Sequence, residues 1–186
     1  MTKISPFVAI GGAIMNAKCP ISVLIPTKNE ERNLRRCLAA IAHWVDEIVV
    51  VGSQSADSTL AIAAFHKPTV IQFHYRGGWP KKGQWALENF NWRNDWILLL
   101  DADEIVQYEN TLEIAEAIRD PHYDGYLVRL QMVFLGRMLR HGGTHLWKLS
   151  LIRKGKGHYE MICQDQDHSM CDMEVHEHVV VDGKTG

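Results

Sequence analysis

Residues 21–31 read Ile-Ser-Val-Leu-Ile-Pro-Thr-Lys-Asn-Glu-Glu, and the architecture follows from how this stretch is read. Residues 21–25 are a short, β-branched apolar run halted by Pro26, which suits a buried strand better than a helix. Thr27 and Glu30 have the spacing of a capping box, and Leu34, Leu38, Ile41 and Val45 recur behind them at helical intervals. The expectation is a strand, a tight turn and a helix. The order then repeats: residues 47–51 form a strand and 52–56 a turn. Asp57 caps a second helix that carries Leu60, Ala64 and Phe65 on one side. A third strand is expected over 70–73, and the Gly77-Gly78-Trp79-Pro80 loop leads to a helical segment over 84–91. Strands alternating with helices imply right-handed βαβ units, hence an α/β fold with a mainly parallel sheet flanked by helices.

Residues 96–104, Trp-Ile-Leu-Leu-Leu-Asp-Ala-Asp-Glu, extend that logic toward chemistry. Ligands of parallel sheets gather at the carboxyl ends of strands, so residues 26–30, 52–57 and 101–104 should converge there. Two carboxylates at such a mouth can share a hard divalent cation with a substrate's phosphate oxygens; the plain alternative is a solvated strand-to-helix turn. The second half reads differently. Tyr126, Val128, Leu130 and Met132 alternate with Arg129 and Gln131, as in a strand with one buried face. Further strands are expected over 146–152 and 173–181, separated by Gly and Asp/Gln/Ser loops. The chain thus divides into a nucleotide-binding α/β half, 20–104, and a mixed, loop-rich half, 105–186, of one domain.

The whole chain of 186 residues carries a formal charge of −2, which excludes a polybasic nucleic-acid binder. The charge is nevertheless segregated. Between 101 and 124 there are eight acids and one basic residue, Arg119; between 125 and 159 there are seven Lys/Arg and no acid; between 160 and 182 there are seven acids and no Lys or Arg. An acidic edge beside an anion-binding surface and a set of solvated faces both give this pattern. Cys19, Cys37, Cys163 and Cys171 are too few and scattered for a disulfide scaffold, so reduced thiols and a cytoplasmic setting are expected. Residues 7–15 faintly imitate a signal peptide, but Gly11 and Gly12 interrupt them and no cleavage pattern follows; residues 1–19 are expected to be a mobile extension.

Five stretches in this order resemble family 2 glycosyltransferases of the GT-A (Rossmann-like) fold, especially lipopolysaccharide core and capsule glucosyltransferases: 21–31, 46–59 (DEIVVVGSQSADST), 96–104, 136–143 (GRMLRHGG) and 175–183 (VHEHVVVDG). The resemblance implies an inverting transfer of a sugar from a nucleotide-diphosphate donor, such as a UDP-sugar, to a glycan or lipid-linked acceptor of the bacterial surface. It implies that Pro26, Thr27, Asn29, Glu30 and Ser53 surround the donor nucleotide, and that Asp101, Ala102 and Asp103 form the DxD motif. Asp101 and Asp103 then hold Mg²⁺ or Mn²⁺ on the diphosphate. Lys82, or Lys81 beside it, supplies a basic group from its loop. Glu177 matches a carboxylate that serves as base, with Asp103 as its catalytic partner in metal binding, while His176 and Trp147 lie on the acceptor side. Trp147 can stack on a sugar ring, whereas Trp85, Trp92 and Trp96 suit the core. The basic stretch 137–156 suits an anionic acceptor at the inner face of the cytoplasmic membrane.

Departures from the pattern sharpen the expectations. Gly52 stands where relatives carry an Asp that reads the nucleotide base, Ser150-Leu151-Ile152 replaces Arg-Leu-Phe, and Thr144 replaces an aromatic residue. The chain also stops soon after a motif that relatives follow with further helices, so a shortened form is expected. The rival to an enzyme is a degenerate glycosyltransferase-like binding or scaffold protein. Two further rivals are a haloacid-dehalogenase-type phosphatase built on Asp101 and Asp103, and a structural zinc site from Cys163, His168, Cys171, His176 and His178. The first normally places its nucleophilic Asp near the chain start, and the second has no compact finger spacing.

Overall fold

The structure is a computed structural model that describes residues 18–139, 141, 146–161, 172–174 and 178–186. In chain order the first half runs β1 (Cys19–Thr27), α1 (Leu34–Ile41), β2 (Val45–Gly52), α2 (Thr59–Phe65), β3 (Thr69–Gln72), α3 (Lys82–Asn89) and β4 (Trp96–Leu99). It continues with α4 (Tyr108–Ala117), β5 (Gly125–Leu130), a β6 (Val133–Phe134) and β7 (Arg137–Met138) hairpin, β8 (Leu146–Arg153), β9 (Gly157–Tyr159) and β10 (Val179–Val181). Six strands form one sheet in the order β3-β2-β1-β4-β8-β5. β1 pairs in parallel with β2 on one side and β4 on the other, and β2 with β3, while β8 runs antiparallel to both β4 and β5. The chain therefore winds outward from β1 to β3 and then returns to the opposite side at β4. That reversal opens a crevice at the carboxyl ends of β1 and β4.

The apolar pattern explains the layers. Ile21, Val23 and Ile25 face one side of the sheet, where Leu34, Cys37, Leu38 and Ile41 of α1 meet them with Ala63 of α2 and Ile114 of α4. Leu24, Val49, Val51, Ile97 and Leu99 face the other side and pack with Phe73, Trp92 and Ala86 of α3. A strand buried on both faces needs a nearly unbroken apolar run, which β4 has and β1 has apart from Ser22, whose hydroxyl donates to Glu47. Trp92 and Trp96 are core residues as expected, and Trp85 packs partly buried against the second cluster. Cys19 and Cys37 are buried free thiols. Burial pushes the Cys37 thiol up to about 12, with Glu104 and Asp101 adding to it, so this is a core side chain rather than a nucleophile.

Several local expectations need correction. The capping box at Thr27 does not form: parallel pairing continues to Thr27 opposite Gly52, so Thr27 is still strand, and α1 starts only at Leu34 behind Asn33, which makes no side-chain cap bond. Glu30 supplies its carbonyl to the amides of Asn33 and Leu34 instead. The N-cap of α2 is Ser58, which makes no side-chain cap bond, and not Asp57; Asp57, one position earlier, nonetheless accepts the first helical amide, that of Thr59, at 3.0 Å. The expected strand over 173–181 reduces to β10 among the described residues, because residues 172–174 turn toward α3. Met132 lies beyond β5 and is exposed, and Tyr126, Val128 and Leu130 are only half-buried because β5 is the sheet's edge. Helix α4, strand β9 and the β6–β7 hairpin were not expected. Cys19 already belongs to β1, one residue before the expected start of the domain, and residues 1–17 and Thr144 lie outside the described residues.

Candidate active site

Two strand-end loops are laced together at the mouth of the crevice. Asn29 takes a left-handed backbone conformation, φ 57°, which turns the chain sharply after Pro26 and Thr27. Its side-chain oxygen accepts the Ala56 amide at 2.9 Å, and its own amide donates to Ser55 Oγ at 3.1 Å. The Glu30 amide donates to Thr59 Oγ1 at 2.8 Å, the Glu31 amide to Asp57 at 3.1 Å, and the Ser58 amide to Glu31 at 3.1 Å. The loop that follows β1 and the loop that follows β2 thus hold each other's backbone polar groups, leaving a shaped polar rim around Pro26 to Glu30.

Beneath that rim lies a buried charge cluster. Lys82 has a fully buried side chain; its Nζ donates to the Thr27 carbonyl at 2.8 Å and lies 3.3 Å from Asp172. Burial pulls the Lys82 amine below its ordinary value, against the pull of the Asp172 charge. Burial pushes the Asp172 carboxyl up, but the neighbouring Ser53 hydroxyl and the Lys82 and Lys28 ammoniums outweigh it and hold the group below the usual carboxylate range. Lys81 and Ser53 are buried too. The basic group that faces solvent here is Lys28, 45% exposed, with its Nζ 3.5 Å from Asp172. Glu174 completes the arrangement by accepting the amides of Gly83 and Gln84, at 3.0 and 2.9 Å, at the N-terminus of α3. The helix end and the carboxylate attract, and two orphan amides are satisfied. Gly83 is required there, since a Cβ would lie 2.8 Å from the Tyr159 ring and 2.9 Å from Glu174 Oε2.

The acidic motif stands at the end of β4. Ala102 is buried and anchors the turn, the Asp101 side chain is half-exposed, and Asp103 is exposed. Glu104 folds back so that its Oε2 accepts the Asp101 amide at 2.9 Å. Lys148 of β8 reaches across the sheet: its Nζ lies 2.5 Å from Asp101 Oδ2 and 3.1 Å from Glu104 Oε1. Burial disfavours the Lys148 ammonium, but the two carboxylates outweigh it and raise its affinity for the proton. Among the described residues no three His, Cys, Asp or Glu side chains assemble into a ligand cage. A hard cation shared with phosphate oxygens and water needs fewer protein oxygens than that, and the ammonium seated on Asp101 marks a place that accepts a cation. The Asp101 carboxylate therefore fits Mg²⁺ or Mn²⁺, and Asp103 stands exposed two positions on at the same turn.

Of the residues expected on sequence grounds, Pro26, Thr27, Asn29, Glu30, Ser53, Asp101, Ala102 and Asp103 lie at the carboxyl ends of β1, β2 and β4, and Lys82 lies beneath them. Trp147 is exposed on β8 next to Lys148, beyond the point where β8 leaves β4. Glu177 and His176 lie outside the described residues, as do Cys163, His168 and Cys171 of the zinc alternative; its remaining member, His178, bonds Glu160 at 2.7 Å. Lys28, Lys148, Asp172 and Glu174 were not expected. Lys148 had a faint signal, a cation flanked by apolar residues near the start of the strand expected over 146–152, whereas Asp172 and Glu174 had none. A cavity of about 540 Å³ opens near the other ends of the strands, around Pro20, Asn94 and Trp96. Its arginines are paired, Arg93 with Asp46, Arg119 with Glu116 and Arg153 with Asp124.

A mainly parallel sheet with an acidic motif after its fourth strand, opposite the first-strand loop, is the arrangement of the GT-A fold. Residues 22–179 match the glycosyl transferase family 2 profile, and the chain belongs to that family. An uncharacterized glycosyltransferase of Rickettsia felis is 37% identical over 107 residues, which cover 58% of this chain and 37% of the relative. The chain thus spans about two-fifths of the length of the curated relatives it matches. The solved structure of S. aureus TarS 1-349 superposes with a TM-score of 0.58 at 23% identity, covering 72% of this chain and 47% of that one. Glucosyl-3-phosphoglycerate synthase from Mycobacterium tuberculosis, solved with Mn²⁺ and UDP, reaches a TM-score of 0.48 at 21% identity over 65% of this chain and 49% of its own, too distant to bear on ligands here. Family membership displaces the phosphatase reading of Asp101 and Asp103.

Proposed function

We propose that this protein transfers a sugar, with inversion and metal assistance, from a nucleoside-diphosphate donor, UDP in the first instance, to a glycan or lipid-linked acceptor of the cell surface. The observation that carries the reading is the meeting, at one crevice, of the laced loops after β1 and β2 with Asp101 and Asp103 after β4. Pro26, Thr27, Asn29, Glu30 and Ser53 would cradle the nucleoside, and Lys28 would meet the diphosphate that Lys82, being enclosed, reaches only through Thr27 and Asp172. Gly52 leaves the Gln72 carboxamide, 3.2 Å from where a Cβ would stand, to read the base. Asp101 and Asp103 would hold Mg²⁺ or Mn²⁺, which when bound neutralises charge on the departing diphosphate. Glu177 would take the acceptor proton as the acceptor oxygen bonds the anomeric carbon and the carbon–phosphate-oxygen bond breaks. Its electron pair leaves with the diphosphate. Attack from the face opposite the leaving group inverts the centre, and Trp147 and His176 would hold the acceptor sugar.

The acceptor side also suits a membrane. No helix among the described residues is long and apolar enough to cross one. The β6–β7 hairpin instead projects Val133, Phe134 and Leu135 into solvent beside Arg137, within a stretch that carries no acid. Exposed apolar side chains beside a cation suit an anionic lipid surface, which supports the reading that the protein works at the inner face of the cytoplasmic membrane. Release of nucleoside diphosphate from a panel of nucleotide sugars with Mn²⁺ tests the reading. Turnover should fall by about 100-fold or more in Asp103→Ala, the loss typical of removing one stabilising charge. A folded wild type inert toward every donor and acceptor would instead support the binding or scaffold reading.

A further inference from the structure

Lys148 sits at the acidic motif without a part in the transfer itself. It enters from β8, on the far side of β4, and its side chain is 28% exposed. Its Nζ sits 2.5 Å from Asp101 Oδ2 and 3.1 Å from Glu104 Oε1, so one ammonium bridges two carboxylates. Glu104 is itself held in place, since its other oxygen accepts the Asp101 amide. The ammonium therefore has two seats, one on the motif's first aspartate and one on a carboxylate that stands aside from it. A divalent cation bound to Asp101 would be repelled by an ammonium on the same oxygen, and at this partly buried edge the repulsion is weakly screened.

We propose that Lys148 is a built-in counter-cation that competes with the divalent metal for Asp101, retreats to Glu104 when the metal arrives, and so sets the affinity of the site. The proposal rests on the metal-assisted reading above. Without metal, Lys148 keeps Asp101 and Glu104 from repelling one another and holds the motif in shape. With metal and donor present, the displaced ammonium rests on Glu104 rather than on Asp101. Lys148 acts through Asp101 and is a positioning residue.

The test is Mn²⁺ binding, read from the free-ion electron paramagnetic resonance signal, with and without UDP, for wild type, Lys148→Met, Lys148→Gln and Lys148→Arg. Melting curves would confirm that each is folded. Removing the competing charge should tighten Mn²⁺ binding about tenfold in whichever of the Met and Gln variants folds, while Arg, which keeps the charge, should stay within about threefold of wild type. Unchanged or weaker binding in the neutral variants would overturn the proposal while leaving the metal-assisted reading intact. Equal tightening in the Arg variant would overturn it as well, because charge would not be the cause. Absence of Mn²⁺ binding in every protein, even with UDP, would overturn both.

Discussion

At the scale of single residues, Asp172 governs the buried charge balance. Its carboxylate is the partner of Lys82, whose ammonium is fully enclosed and otherwise meets only the Thr27 carbonyl among the bonds described. Asp172→Asn leaves that cation uncompensated and should cost about 3 kcal/mol in urea unfolding, the lower range for breaking a buried pair. Lys28→Ala, at the exposed end of the same cluster, should cost less than about 1 kcal/mol. The pH dependence follows from sign. The folded-state Asp172 proton affinity lies below its ordinary value of 3.8, so its stabilisation is present above that pH and is lost as pH falls through the lower, folded-state value. The difference between wild type and Asp172→Asn should therefore be full at pH 7 and shrink below about pH 4. None of this was legible from the chain, because Asp172 lies 90 positions beyond Lys82 and nothing in its own neighbourhood marks a partner.

At the scale of elements, α3 shows how a helix can depend on a distant segment. Its own N-cap position, Lys81, supplies no side-chain acceptor, and Glu174 does so instead with both oxygens. Glu174→Ala should lower stability by about 1–2 kcal/mol in chemical unfolding, the usual worth of a cap plus its helix-end charge. Exchange of the Gly83 and Gln84 amide hydrogens should quicken before that of β1. The strands β1, β2 and β4 were legible because residues buried on both faces must be mostly apolar, as in 23–25, 48–51 and 96–99, and α1 because Leu34, Leu38 and Ile41 keep a helical period. The Thr27–Glu30 pair was misread for a physical reason: capping-box spacing says nothing about whether a neighbouring strand will extend the ladder through Thr27. Helix α4 was hidden because its buried side includes Thr111 beside Ile114, and its acids drew attention to charge rather than periodicity.

At the scale of the whole molecule, opposed charges that nearly cancel in sum are segregated along the chain and meet where β8 lies beside β4, Lys148 on Asp101 and Glu104 and Arg153 on Asp124. Acidic residues follow β4 at the crevice, and the acid-free stretch forms β5, the hairpin and β8 beside it. The hairpin tip is the most exposed apolar feature there, with Leu135 87% exposed. Phe134→Asp with Leu135→Asp should abolish co-sedimentation with phosphatidylglycerol vesicles while leaving melting unchanged, since neither side chain is in the core. Association with anionic vesicles that survives the change would place the contact elsewhere. By itself, the sequence determined the family, the alternation of strands and helices and the position of Asp101 and Asp103 just past a strand end, because apolar runs and strand-end motifs are local patterns. Only the tertiary structure decided that Lys82 is a buried support rather than a surface cation, that Glu174 caps α3, and that Lys148 occupies Asp101. These depend on long-range pairing across the sheet, where burial and the charge of a distant neighbour determine what a side chain does.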